Sequence, residues 1–266
     1  MQAVTRLSPM SDSRPDQARS FDRVAGLYQK ARPSYPAAAV DWVLDAAPGL
    51  RVVDLAAGTG KLTEVLVAAG AEVTAVEPLA NMRAELERAL PSVRAIDGSA
   101  ERIPLPDASA DAVFVGQAFH WFDAPAALAE IARVLVPGGV LGLVWNLRDE
   151  TVPWVAELTV ALRGAADVLS ASRGISERPL ESEQFTAPER REFPNPVPFD
   201  RARLREWAAS TSRIAVLPDG EREEALDGIV RLADRHPALA NRHTFEMPFV
   251  AAVVRATRRQ DEGRSP

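Results

Sequence analysis

At 266 residues, with 47% hydrophobic and 26% charged residues, the chain has the length and composition of one sizeable α/β domain with an addition, which excludes fibrous and disordered classes. It has no cysteine and only His120, His236 and His243 as histidines, so disulfides and thiolate nucleophiles are ruled out and no metal is expected. A formal net charge of -6 opposes binding to a phosphate backbone, and Lys30 and Lys61 are the only lysines available for Schiff-base chemistry; no nucleic-acid partner is expected.

Residues 1–20 are polar, carry prolines and lack periodicity, and read as a mobile lead-in in which Met10 offers a second start. They contain no apolar stretch of the signal-peptide kind, and nothing in the chain approaches the ~18 apolar residues of a membrane span, so a cytoplasmic protein without a membrane partner is expected. Phe21, Val24, Ala25 and Tyr28 recur at helical spacing, and Ala37 to Ala47 gives a second amphipathic run. Residues 21–50 therefore form a helical arm ahead of the first strand.

The core is predicted over residues 51–150. Strand Arg51 to Ala56, helix Gly60 to Ala69, strand Glu72 to Glu77, helix Leu79 to Leu90 and a short strand near Val93 to Ile96 follow in βαβαβ order. A strand at Ala112 to Gln117, a helix at Ala124 to Leu135, a turn at Pro137-Gly138-Gly139 and a strand at Val140 to Asn146 extend the series. Apolar strands alternating with helices describe a mostly parallel sheet with helices on both faces, a Rossmann-like α/β class. Residues 151–257 are looser. They hold helices around Val155 to Leu169, Arg201 to Ser210 and Glu221 to Ala233, a proline-rich stretch from Phe193 to Phe199 and an extended run from Thr244 to Val254. Residues 258–266 read as a frayed tail.

Chemistry in such a sheet gathers where parallel strands end. Asp54-Leu55-Ala56-Ala57-Gly58-Thr59-Gly60 closes the first strand and opens a helix. It is no phosphate loop, because Leu55 and Leu62 stand where that loop needs glycine and Ser or Thr. The dinucleotide fingerprint also fits badly: Thr63 replaces its third glycine, and Asp54 would face a pyrophosphate of like charge. A sulfonium and an ammonium group would instead find Asp54 favourable, which describes S-adenosylmethionine. Glu77-Pro78, ending the second strand, offers a carboxylate to both ribose hydroxyls. The segment Ser99-Ala100-Glu101, after the third strand, lies where an adenine edge would sit. Gln117 to Asp123, after the fourth, faces the reactive end of the ligand.

These motifs, with Asp107-x-Ser109-x-Asp111 and Arg133-Val134-Leu135-x-Pro137-Gly138-Gly139, closely resemble those of the type 11 class I methyltransferases from about Phe21 to Asn146. Tyr28-x-x-x-Arg32-Pro33-x-Tyr35-Pro36 with His120-Trp121-Phe122 resembles the subgroup that includes the trans-aconitate methyltransferase relatives. The resemblance implies a seven-stranded sheet with an antiparallel C-terminal strand pair and a substrate-covering region between the last two strands. It also implies S-adenosylmethionine as cofactor, lined by Asp54, Ala56, Gly58, Gly60, Glu77, Pro78, Met82, Ser99, Ala100, Glu101 and Gln117. Tyr28 and Arg32 would close over its methionine end. Ala56 stands where the family has its usual first glycine and Ser99 where it has a common aspartate.

Methyl transfer is an in-line displacement that asks for alignment and exclusion of water, and a base only for acceptors that must lose a proton. His120 is the candidate catalytic base, against the alternative that it orders its loop and packs on Trp121. Tyr35, Trp121, Phe122, Trp145, Asn146, Arg148 and Arg213 are candidates for the acceptor, each with a packing or surface alternative. The expected partner is a small-molecule acceptor, met by a monomer or homodimer. A nicotinamide-dependent oxidoreductase, an inactive S-adenosylmethionine-binding regulator and, more distantly, a base-flipping nucleic-acid methylase are the competing readings.

Overall fold

The computed structural model describes residues 32–163 and 182–260, with the backbone alone of Arg163, Ser212 and Arg213. The expectations for residues 1–20, for the helix from Phe21 to Lys30, for the far half of the helix begun near Val155 and for the tail beyond 260 lie outside the described residues.

Helix α1 (Ala37–Leu44) precedes β1 (Arg51–Leu55), α2 (Lys61–Ala68), β2 (Glu72–Val76), α3 (Ala80–Ala89), β3 (Arg94–Ile96) and β4 (Ala110–Gly116). A 3-10 turn (Phe119–Trp121), α4 (Ala124–Val134) and β5 (Leu135–Arg148) follow. Then come α5 (Pro153–Arg163), β6 (Glu189–Phe199), α6 (Arg201–Ala209), α7 (Ser212–Ala215), α8 (Asp219–Arg235) and β7 (Phe245–Thr257). The strands make one sheet in the order β3-β2-β1-β4-β5-β7-β6. The first five are parallel, and β7 runs antiparallel to both β5 and β6. This is the seven-stranded, mostly parallel sheet with an antiparallel C-terminal pair that the resemblance implies.

The central strands are apolar on both sides because helices cover both faces. Val53, Leu55, Val113, Val115, Leu141 and Leu143 pack with Ala127, Leu128 and Ile131 of α4. Val52, Ala112, Phe114, Val140 and Val144 point the other way, onto Ala39, Val40 and Val43 of α1 and Leu62 and Leu66 of α2. A third cluster joins α5, α6 and α8 to the outer halves of β6 and β7 through Trp154, Leu158, Leu204, Trp207, Leu226, Phe245 and Phe249. Asp123 and Asp200 start α4 and α6 by accepting the backbone N–H of Ala126 and Arg203.

Two expectations change. The turn expected at Pro137-Gly138-Gly139 lies inside β5 as a bulge: Ala110 pairs with Leu135 and Ala112 with Val140, so β5 must loop out between them. Gly138 takes a φ of 81°, and the bulge is clamped by Gly138 N–H to the Arg258 carbonyl and Arg258 N–H to the Gly139 carbonyl. The proline-rich stretch from Phe193 to Phe199 is part of strand β6, which among the described residues pairs only with β7. Prolines are tolerated there because Pro194, Pro196 and Pro198 share one parity. Their missing donors all face the open edge, while the intervening residues donate to β7. An edge without donors also resists pairing with another chain.

Among the described residues no helix is long and apolar enough to cross a membrane, and no cluster of His, Asp or Glu fits a metal ion.

Candidate functional site

The site begins where β1 ends. The chain turns through left-handed backbone at Ala56 (φ 56°), Gly58 (58°) and Gly60 (88°) before α2 starts. Ala56 carries a Cβ in that conformation, at a cost of about 1 kcal/mol that the surrounding bend sustains. A Cβ on Gly60 would press on Leu86 at 3.0 Å, whereas a Cβ on Gly58 would meet nothing within 4 Å. Gly58 therefore leaves open space over the bend.

Asp54 is fully buried at the base of this turn. One carboxylate oxygen accepts the Thr63 hydroxyl at 2.5 Å, and the other, Oδ1, has no partner among the described residues. The Thr59 hydroxyl, 2% exposed, is likewise without a partner among the described residues. Burial pushes the Asp54 carboxyl up to about 7, against the downward pull of the Thr63 bond and with the charge of Glu77 adding to the rise. Two unpaired buried polar atoms in one bend are costly in the protein alone and suit a polar, cationic ligand.

Glu77, 3% exposed, stands one residue beyond β2. Its Oε2 accepts Gly58 N–H at 2.8 Å and its Oε1 accepts Leu79 N–H at 2.9 Å, so it braces the glycine bend. A carboxylate oxygen has two lone pairs, so each can accept more than one hydrogen bond. Pro78 is exposed, and Met82 is buried on α3. Past β3, Ser99 is half-buried and bridged to Arg102, and Ala100 belongs to the core. The Glu101 carboxylate accepts Asp123 N–H at 3.1 Å and so ties down the loop after β4. Gln117, at a φ of 59°, donates through its side-chain amide to the Asn146 carbonyl at 3.1 Å.

A pocket adjoins this edge, lined by Arg32, Tyr35, Lys61, Gln117, Asn146, Arg148, Trp207 and Phe249. Its wall depends on the segment Arg32–Tyr35, which is anchored at both ends. The Asn146 side-chain amide donates to the carbonyls of Pro33 at 3.4 Å and Ser34 at 3.1 Å, and Asn195 donates at 2.9 Å both to the Ser34 carbonyl and to Asn146 Oδ1. Arg32 donates to the Ser210 carbonyl of the covering helices at 2.9 Å. Asn146, a candidate for the acceptor from sequence, is thus engaged in holding the arm. A Cβ on Gly116 would sit 2.8 Å from the Tyr35 hydroxyl and 3.2 Å from Leu62. Gly116→Ala is expected to displace Tyr35 and weaken ligand binding about tenfold, with a stability loss of about 1–3 kcal/mol by chemical denaturation.

The structure does not bring every candidate to this edge. Trp145, 8% exposed, shares the parity of Leu141 and Leu143 and lies in the core on the α4 side, opposite Asn146 and Arg148. Phe122 packs edge-on against Phe119 with ring centres 5.6 Å apart. His120 is exposed, its ring 4.7 Å from that of Trp121, and neither lines the pocket. Tyr28 and the side chain of Arg213 lie outside the described residues. Sequence reasoning missed Thr63, Lys61, Asn195, Trp207 and Phe249. Only Thr63 and Lys61, in the first turn after the glycine bend, carried a local signal. A wider concavity at Asp200, Asp234 and His243 has none of the strand-end groups, and Arg201 within it is tied to Asp234 and to the Ala233 and Leu239 carbonyls.

With this geometry in view, the methyltransferase domain family matches residues 53–143. The uncharacterized methyltransferase Rv3342 of Mycobacterium tuberculosis is 44% identical over 248 residues, covering 93% of this chain and 99% of its own length. The uncharacterized methyltransferase-like protein C25B8.10 of Schizosaccharomyces pombe is 43% identical over 148 residues, 54% of this chain and 58% of its own. A solved structure from Anaeromyxobacter dehalogenans, provisionally assigned as a type II methyltransferase, shares the fold with a TM-score of 0.64 at 24% identity, over 85% of this chain and 97% of that one.

Proposed function

Because the chain belongs to the S-adenosylmethionine-dependent methyltransferases, we propose that the bend after β1 and the carboxylate after β2 hold that cofactor, and that the adjoining pocket takes a small-molecule methyl acceptor. The observation that carries this reading is the buried Asp54 oxygen without a partner among the described residues, beside open space at Gly58 and the buried Glu77 carboxylate. When bound, S-adenosylmethionine supplies an electrophilic methyl group on a positively charged sulfur. Asp54 faces the cationic part of the ligand, directly or through water. Glu77 accepts the ribose hydroxyls while its backbone bonds keep it fixed. Met82, Ser99 and Ala100 flank the adenine, and Arg32 and Lys61 face the carboxylate of the methionine end. Tyr35 and Gln117 close the space between cofactor and acceptor, excluding water from the line of attack.

Among the described residues lining the pocket there is no carboxylate or histidine. The acceptor accordingly arrives with a nucleophilic oxygen, nitrogen or carbon, and alignment carries the rate. His120 then serves as a loop residue packed against Trp121. His120→Asn is expected to change the rate of methyl transfer by less than about threefold. A loss of about a hundredfold or more, with cofactor affinity intact, would restore His120 as the base.

Calorimetric titration with S-adenosylhomocysteine tests the reading. Micromolar binding is expected, together with transfer of a labelled methyl group in an acceptor screen. NADH fluorescence enhancement in place of such binding would point to the oxidoreductase alternative.

A further inference from the structure

Among the described residues, the pocket beside the proposed cofactor site is lined by three cationic side chains, Arg32, Lys61 and Arg148, and they are not equivalent. Lys61 opens α2 directly after the glycine bend, and Arg32 belongs to the anchored arm. Arg148 stands apart from the bend, at the end of β5 and next to the covering helices. Its side chain is only 12% exposed, its Nε donates to the buried Thr159 hydroxyl at 3.1 Å, and its guanidinium lies 5.6 Å from the centre of the Trp207 ring. The Glu150 carboxylate reaches it at 3.9 Å, the outer limit of an ion pair.

Trp207 supplies the second observation. It is 1% exposed, it lines the same pocket, and its indole N–H has no acceptor among the described residues. A buried indole N–H normally finds one. Phe249, 5.9 Å from Trp207 ring to ring, gives the pocket an apolar wall beside these donors. A fixed guanidinium, an unanswered donor and, among the described residues, a lining without negative charge together suit an oxyanion, which accepts from both donors and offsets the positive field.

Resting on the function proposed above, we infer that Arg148 and Trp207 form a subsite for an oxyanion group, carboxylate or phosphate, carried by the methyl acceptor. The subsite is separate from the one that holds the cofactor. Arg148 fixes the orientation of the acceptor through its planar fork, and Trp207 selects for an acceptor atom over an apolar group.

The test uses the full chain saturated with S-adenosylhomocysteine and follows benzoate, phenyl phosphate and benzamide by saturation-transfer NMR. At least one of the two anions is expected to bind at least about tenfold more tightly than benzamide, and which one does so separates carboxylate from phosphate. Arg148→Met should lower that anion's affinity about tenfold or more, and Trp207→Phe, which keeps the ring and loses only the N–H, about three- to tenfold. Both variants should bind S-adenosylhomocysteine within about twofold of the wild type, which also shows that they fold. Equal binding of benzamide, no binding of either anion, or anion affinity untouched in both variants would overturn the inference. A wild-type chain that binds no S-adenosylhomocysteine would sink the underlying reading first, and this one with it.

Discussion

Asp54→Asn is expected to weaken S-adenosylhomocysteine binding about a hundredfold and, at the same time, to stabilise the ligand-free protein above pH 7. The two effects share one cause. In the ligand-free protein the Asp54 carboxyl is held at about 7 against an ordinary 3.8, because full burial disfavours its charge and Glu77 lies nearby. Between those values the folded state keeps a proton that the unfolded chain has released. Stability therefore falls as the pH rises from about 4 to about 7, by at most about 4 kcal/mol from this group, and levels off beyond. Asparagine keeps an oxygen for the Thr63 hydroxyl and carries no charge, so it should remove that slope. Urea unfolding at pH 5 and pH 8, with and without ligand, measures both halves. The variant should gain on the wild type at pH 8 more than at pH 5 without ligand, and lose most of the ligand's stabilising effect at both.

Glu77→Gln should weaken binding as well, by about tenfold or more, but with the opposite sign for stability. Each Glu77 oxygen accepts one backbone N–H, from Gly58 and from Leu79. An amide has one oxygen and one NH2 group, so whichever way it is turned, a backbone N–H faces a donor. The expected loss is about 1–3 kcal/mol by denaturant unfolding, together with a looser glycine bend. Two carboxylates on neighbouring strands would thus be told apart by one pair of measurements. Equal destabilisation in both variants would mean that Asp54, like Glu77, is a brace of the fold.

The sheet was legible because its signal is local. Apolar runs bounded by Gly and Pro mark β1, β2, β4 and β5, and a strand end followed by a glycine bend marks the ligand edge. What sequence reading missed depends on pairing or parity. The prolines of β6 look like loop until the strand is known to be an edge, where Pro194, Pro196 and Pro198 all turn their missing donors outward. Trp145 and Asn146 are neighbours in a strand apolar on both faces, so no alternation tells which side meets the ligand; Trp145 faces the core. Trp207 and Phe249 reach the pocket from α6 and β7, and Asn195 reaches Asn146 from β6, through contacts between distant parts of the chain that leave no periodic trace. Thr63 was legible in type but misread. Judged as a missing glycine, it is the hydroxyl that donates to Asp54.

In the proposed site Asp54 carries its charge for a bound cation, and counting protons tests this most directly. S-adenosylhomocysteine should be titrated calorimetrically at pH 6.5 in buffers of differing ionisation enthalpy. With a carboxyl at about 7, binding should release about three-quarters of a proton per chain, and Asp54→Asn should abolish the release. Binding with no proton exchanged, or with the same release in the variant, would contradict the role given to Asp54.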